Sequence, residues 1–200
     1  DGYWVLAMAA YFLLGNYGSA KVAASRVGNS AFYGSNADLL VDLVSYLLVP
    51  GSAAPAKLRR LGEYLMGEPV GKSAVFDEAK AFLTESKAED SFFGRLLYVA
   101  VEDIVANSSR KLLPIYTGIE ATKWRPYLKG NNAAKVLWQA QRVIGEAGVF
   151  KGGSAFIQLP TGSGKTTSVE LLIRSRILAG DCSLAVVIAP LRALCSEIAH

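Results

Sequence analysis

The sequence predicts an α-helical N-terminal domain over residues 1–120, followed by the start of an α/β parallel-sheet domain over residues 121–200. Three observations predict it. Apolar residues recur at spacings of three and four through most of the first 120 residues. Beyond residue 120 the pattern changes to short apolar runs of strand length alternating with helical ones. Between the first such run and the next helix stands a glycine-rich turn, PTGSGK. With 52% apolar residues in 200, the chain can bury a sizeable core, which excludes a disordered chain.

The elements follow in order. The apolar run YWVLAMAAYFLL (3–14) is too short for a bilayer, which needs roughly 20 residues. It has no basic leader, so it reads as a buried core helix. Helical patterns return at 37–49, 74–88 and 91–106, broken by Gly, Ser, Asn and Pro at 15–19, 28–36, 50–55 and 67–73. Ser35 or Asn36 is the expected N-cap of the helix that stops before Pro50-Gly51. Ser73 is the expected cap of the next, with Phe76 and Phe82 on its apolar side. No repeat of fixed period is present. Pro114, Gly118, Pro126 and Gly130 mark 111–132 as a connector, which places the domain boundary near residue 120.

The second half reads differently. AKVLWQAQRVIGEAG (134–148) predicts a helix that ends at a glycine. SAFIQL (154–159) predicts a strand. TTSVELLIRSRILAG (166–180) predicts a helix with a broad apolar face of Val169, Leu171, Leu172, Ile177 and Leu178, ended by Gly180. SLAVVIAP (183–190) predicts a second buried strand, and LRALCSEIAH (191–200) starts another helix. Strand, turn, helix, strand, helix is the opening of a parallel sheet with right-handed crossovers.

Charge is divided unevenly. Residues 1–120 carry 11 basic against 13 acidic side chains; residues 121–200 carry 10 against 4. The basic excess lies with the glycine turn and suits a polyanion. The only cysteines, Cys182 and Cys195, form no CxxC and no metal cluster, and read as free thiols in a reducing, cytoplasmic setting. A first residue Asp1 and a last residue His200 inside a helical pattern make the chain read as a piece of a longer protein.

LPTGSGKT (159–166) carries the chemistry. It matches the end of the phosphate-loop pattern G-x-x-x-x-G-K-[ST] with Gly164, Lys165 and Thr166, while Leu159 replaces the first glycine. Gly162 and Gly164 let the backbone curl so that successive N–H groups face one anion. The next helix adds its positive end. Lys165 is placed to reach the β- and γ-phosphates, and Thr166 to offer its hydroxyl to Mg²⁺. With Pro160, Thr161, Ser163 and Thr167 these residues form the expected site for ATP and Mg²⁺, with Lys165 and Thr166 as its catalytic members.

The same stretch resembles motif I of the superfamily 2 DExD/H-box helicases, where Pro-Thr before the glycines is common and the first glycine is often absent. APLRALCSEI (189–198) resembles motif Ia, closest to the Ski-type DExH branch. Gln141, about 20 residues before the loop, stands near the adenine-reading glutamine of that family, with Gln139 as its rival. Trp124 and Tyr127 stand where an upstream aromatic stacks on adenine in related helicases. The resemblance covers residues 120–200 and does not extend to residues 1–120. It implies a RecA-like motor domain 1, ATP hydrolysis, and single-stranded DNA or RNA as partner, its backbone met by Pro190, Leu191 and Arg192. Arg192 and the N–H groups of the helix it opens suit a backbone phosphate, a contact without base information.

The family's Mg²⁺-binding and water-orienting carboxylates come from a later DExH or DEAD segment, and these 200 residues hold none. The expectation is an N-terminal helicase fragment ending after motif Ia, which alone does not hydrolyse ATP at a useful rate. Residues 1–120 are expected to be an accessory domain that docks a protein or guides a strand. A parent in repair, RNA processing or bacterial defence is consistent with such an addition. The reading from a different class is a phosphate-loop ATPase switch with a helical protein-binding domain and no nucleic acid. A structural helical module with a vestigial loop is the third. Motif Ia and the basic excess favour the helicase.

Overall fold

The computed structural model describes residues 2–28, 34–49, 51–84, 88–160 and 162–188. Helical apolar spacing builds its first half. In α1 (Gly2–Leu13), Val5, Met8, Ala9 and Phe12 share one face and are buried, while Tyr3, Leu6 and Tyr11 face outward. The opening apolar run is therefore a core helix. Among the described residues no helix is long and apolar enough to cross a membrane. Helix α2 (Tyr17–Ala24) folds back on α1. Next come α3 (Ser35–Leu48), α4 (Arg59–Leu65), α5 (Lys72–Lys80) and α6 (Ala88–Asn107). The 20-residue α6 is the common partner on which α1, α3 and α5 pack.

Neither expected side-chain cap is used. Helix α3 follows Gly34, and its first turn is capped from a distance, Asn36 N donating to Asp90 Oδ1 at 3.3 Å. Asn36 is buried instead, and its amide donates to Asp90 O at 2.8 Å and to Phe82 O at 3.5 Å. A buried amide needs such partners, and here it finds them in the carbonyls of a distant segment. Helix α5 follows Gly71, which leaves Ser73 inside its first turn. Of the expected stop at Pro50-Gly51, Pro50 lies outside the described residues; α3 itself ends at Leu48.

The expected connector over 111–132 is instead two helices, α7 (Ser109–Thr117) and α8 (Ala121–Leu128), each with an internal proline. A proline removes one helical hydrogen bond. Burial of Leu112 and Leu113 from α7, and of Trp124, Tyr127 and Leu128 from α8, offsets that loss. The helix expected over 134–148 is shorter, α9 (Gln139–Glu146). The residues before it are drawn out straight by the α6–α7 junction. Leu137 N donates to Asn107 O at 2.9 Å and Ser109 N to Lys135 O at 3.0 Å. Ser109 Oγ donates to Ala134 O, and Ser108 and Val136 form an antiparallel bridge. Lys135, 8% exposed, donates from Nζ to Leu128 O (2.8 Å) and Gly130 O (3.2 Å), and burial lowers its pKa.

Helix α10 (Lys165–Ala179) ends at Gly180, as its sequence predicts. The expected parallel sheet is not seen: among the described residues there is no strand. Residues 154–159 and 184–188 run as irregular backbone outside any ladder, and Phe156 and Ile188 are 94% and 92% exposed. A strand exists only when a neighbour accepts and donates its backbone hydrogen bonds. Apolar content alone cannot supply that neighbour.

Two cores result. The first joins α1–α6 and takes in Val136. The second joins α7–α10 with the turn at Phe150. Trp124 lies at 0% exposure in the second core, edge-on to Tyr127 at 5.8 Å and 73°. Both rings are packing residues here and offer no open face to a base. The Tyr127 hydroxyl accepts from Ala134 N at 3.0 Å, and burial raises its pKa.

Two outcomes are expected. Trp124→Ala lowers stability by about 3–5 kcal/mol in urea unfolding. Trp124→Phe costs clearly less, because the indole N–H it removes has no hydrogen-bond partner. An equal cost for both would contradict this packing. Tyr17 supplies the second. No hydrogen-bond geometry closes on its buried hydroxyl, although Asp103 and Arg142 stand near it. Burial first, then the Asp103 charge, pushes its pKa from 10.0 to about 12. The folded state thus keeps this proton longer than the unfolded chain, and stability falls as pH rises from about 10 to about 12. Tyr17→Phe is expected to be neutral or stabilising by about 1 kcal/mol at pH 7, and to flatten that alkaline fall.

Candidate functional site

The glycine turn is closed by its own side chains. Ser163 Oγ donates to Pro160 O at 2.7 Å. Gly162 and Gly164 take φ of +78° and +83°, the left-handed region where a Cβ is strained. Helix α10 then begins at Lys165. Its first helical hydrogen bond across the turn runs from Ser168 N to Gly164 O at 3.0 Å. The N–H groups of Lys165, Thr166 and Thr167 precede that bond and have no helical partner. They are the donors an anion needs at a helix N-terminus. The Lys165 and Thr166 side chains are exposed beside them.

One carbonyl holds the loop. Gly164 O accepts from Ser168 N, from Ser168 Oγ at 2.9 Å and from Gln141 Nε2 at 3.2 Å. The other end of the Gln141 amide accepts from Trp138 N at 2.5 Å. A Cβ on residue 164 would collide with Gln141 Nε2 and lie 3.5 Å from the Trp138 ring. Glycine is favoured at 164 by its φ, and a Cβ there would also displace the Gln141 amide from its contact. Gln141 is 1% exposed. In this arrangement it presents no edge to an adenine, and it acts as a strut between the start of α9 and the end of the loop. Gln139, two residues earlier, is exposed.

The far end of α10 is fixed as well. Ser175 Oγ donates to Phe150 O at 3.0 Å, and Arg176 pairs with Asp181. Two clefts flank the loop. One, of about 430 Å³, opens at Thr167 and Trp138. The other, of about 770 Å³, opens at Gly162 and Ser163.

The structure thus brings together Pro160, Gly162, Ser163, Gly164, Lys165, Thr166, Thr167 and Gln141. Thr161, and with it Pro190, Leu191 and Arg192, lie outside the described residues, as do Cys195 and His200. Sequence reasoning missed Ser168 and Trp138. Their signal was positional: Ser168 sits one helical turn after Gly164, and Trp138 three residues before Gln141, the spacing of a capping pair.

Residues 138–200 match the family model of the DEAD/DEAH box helicase. Comparison with curated proteins and with solved structures finds no match. The matched stretch begins at Trp138 and holds the whole loop, and it supports a helicase superfamily and an ATP-dependent helicase-type function in general.

Gln141→Ala is expected to lower stability by about 1–3 kcal/mol in urea with no nucleotide present, because it strands a buried N–H. Unchanged stability would show that the amide does not hold the loop.

Proposed function

We propose that these residues are the N-terminal part of an ATP-dependent nucleic-acid helicase or translocase of superfamily 2, in its Ski-type DExH branch. The observation that carries the reading is the loop itself. Two left-handed glycines, three helix-opening N–H groups, an exposed lysine and an exposed threonine converge inside the stretch that matches the helicase family. ATP with Mg²⁺ is the ligand this chemistry suits. Lys165 reaches the β- and γ-phosphates, Thr166 gives its hydroxyl to Mg²⁺, and Pro160, Thr161, Gly162, Ser163, Gly164 and Thr167 line the phosphates. Gln141 sets the position of the loop; reading adenine would require its amide to release Gly164 O.

Single-stranded DNA or RNA is the proposed partner. Support comes from the 10 basic against 4 acidic side chains over residues 121–200 and from the motif Ia resemblance at Pro190, Leu191 and Arg192. Residues 1–120 act as an accessory helical domain in a cytoplasmic protein. Hydrolysis draws on carboxylates beyond this sequence, so the 200 residues alone bind nucleotide without useful turnover.

The test is ATP hydrolysis by the full-length protein, with and without single-stranded DNA or RNA. Stimulation by one of them is expected, and Lys165→Ala is expected to reduce turnover on the order of 10²-fold, as for loss of one charge-stabilising group. Turnover indifferent to every nucleic acid would move the reading to an ATPase switch whose helical domain binds a protein. Robust Lys165-dependent turnover by residues 1–200 alone would refute the division of labour.

A further inference from the structure

The N-terminal helices reach the loop. Between the end of α3 and the segment before α9 lies the cleft of about 430 Å³ that opens at Thr167. Its size is that of a small-molecule site, which spans roughly 300–1,000 Å³. One wall carries Tyr46 and Ser52, from the first 120 residues. The other carries Asn131, Asn132 and Trp138. Two half-buried aromatic rings, one from each wall, and two side-chain amides line the same space. That combination of ring faces and paired donor and acceptor edges is what a nucleobase and ribose require.

We propose that this cleft receives the nucleoside half of the bound nucleotide, so that the N-terminal helical domain forms one wall of the nucleotide site. The inference rests on the phosphate-loop reading above. Lys165 and Thr166 would hold the β- and γ-phosphates with their Mg²⁺, which would leave the α-phosphate and nucleoside to continue past the next residue of α10. Thr167 is the next residue of α10, its N–H is free of helical bonds, and its side chain lines the cleft. The larger cleft, at Gly162 and Ser163, suits a base less well. It shares Trp138 but offers no second open ring, since its Tyr17 is 2% exposed and packed against Phe12 at 5.3 Å. Tyr46 and Trp138 are the rings that stack on the base. The α3–α4 connection then senses whether a nucleoside is present, which gives residues 1–120 a physical link to the motor segment.

The experiment compares binding of ATP and of inorganic triphosphate by calorimetry. Triphosphate engages the loop but has nothing to place in the cleft. Ser52→Phe fills the cleft from the helical wall and is expected to weaken ATP at least about tenfold while leaving triphosphate unchanged. Tyr46→Ala is expected to weaken ATP about tenfold with the same selectivity, and it tests the idea independently if Ser52→Phe fails to fold. Gly18→Phe, where a Cβ meets nothing within 4 Å, fills the other cleft and is expected to change neither ligand. Equal loss of both ligands, no loss of ATP, or an ATP-selective loss in Gly18→Phe would overturn the proposal. So would a wild-type protein that binds ATP no better than triphosphate, an outcome that leaves the phosphate-loop reading standing. Failure of the wild type to bind either ligand would sink that reading, and this inference with it.

Discussion

The carbonyl of Gly164 is the point on which the site depends. Three donors converge on it: the first helical N–H of α10, the Ser168 hydroxyl and the Gln141 amide. A carbonyl has two lone pairs, so three donors crowd it and leave little freedom to the peptide that follows. That peptide carries the Lys165 N–H toward the proposed anion site. Glycine suits the arrangement, since residue 164 is left-handed and its missing Cβ leaves the space that Gln141 fills. The loop is therefore preorganised by the protein before any ligand arrives, which spares the ligand the entropy of ordering it.

From Gly164 the restraint passes outward. Gln141 holds Trp138, whose ring meets Tyr17 of α2 and packs against the first core. The segment before Trp138 is stitched to the α6–α7 junction by backbone hydrogen bonds. A second seam joins the cores further down. Lys129 pairs with Glu68 at 2.7 Å and Arg125 approaches it at 3.6 Å, while Arg110 donates to Tyr64 O at 2.9 Å and lies 4.2 Å over the Tyr64 ring. The hydrogen bond from Lys129 holds the Glu68 carboxyl below the usual range. The exposed pairs carry little energy each. Their value is geometric, since they fix α4 against α7 and α8.

The contrast lies at residues 154–159 and 184–188. Most of their side chains are apolar, and several stand open to solvent, with Leu184 and Val186 at 78%. An apolar segment in extended form is stable in a sheet because both its faces and both its edges are covered. Here the helix beside it, α10, leaves Val169 and Ile177 partly open on the same account. Loop and helix stand as local structure, while the sheet that surrounds such a loop is a matter of pairing between distant segments.

How much was legible in the sequence follows from the range of each force. Helices α1, α3, α6 and α10 were readable because a long helix is closed by its own backbone and announced by local spacing. Of the helix expected over 74–88 only the first half is α5, with Phe82 in a separate turn after it, and the short α2, α4, α7 and α8 were not read. The loop was readable because left-handed glycines, a lysine and a helix start are all contained in a few residues. Tertiary contact decided the rest. Asn36 became a buried bridge to Asp90, and not a cap, because its partner is 54 residues away. Residues 134–138 left their predicted helix because Asn107 and Ser109 supply better backbone partners. Trp124 was taken into the second core, away from any ligand, by apolar surface that α7, α8 and α10 jointly provide. Gln141 was taken up by Gly164 O because that carbonyl, 23 residues along the chain, is the acceptor its buried amide meets. The sequence by itself determined the longer helices and the glycine loop, whose hydrogen bonds close within a few residues of a sustained local pattern; the short helices around prolines, and the distant group each remaining donor, acceptor and ring would meet, were decided only by the fold.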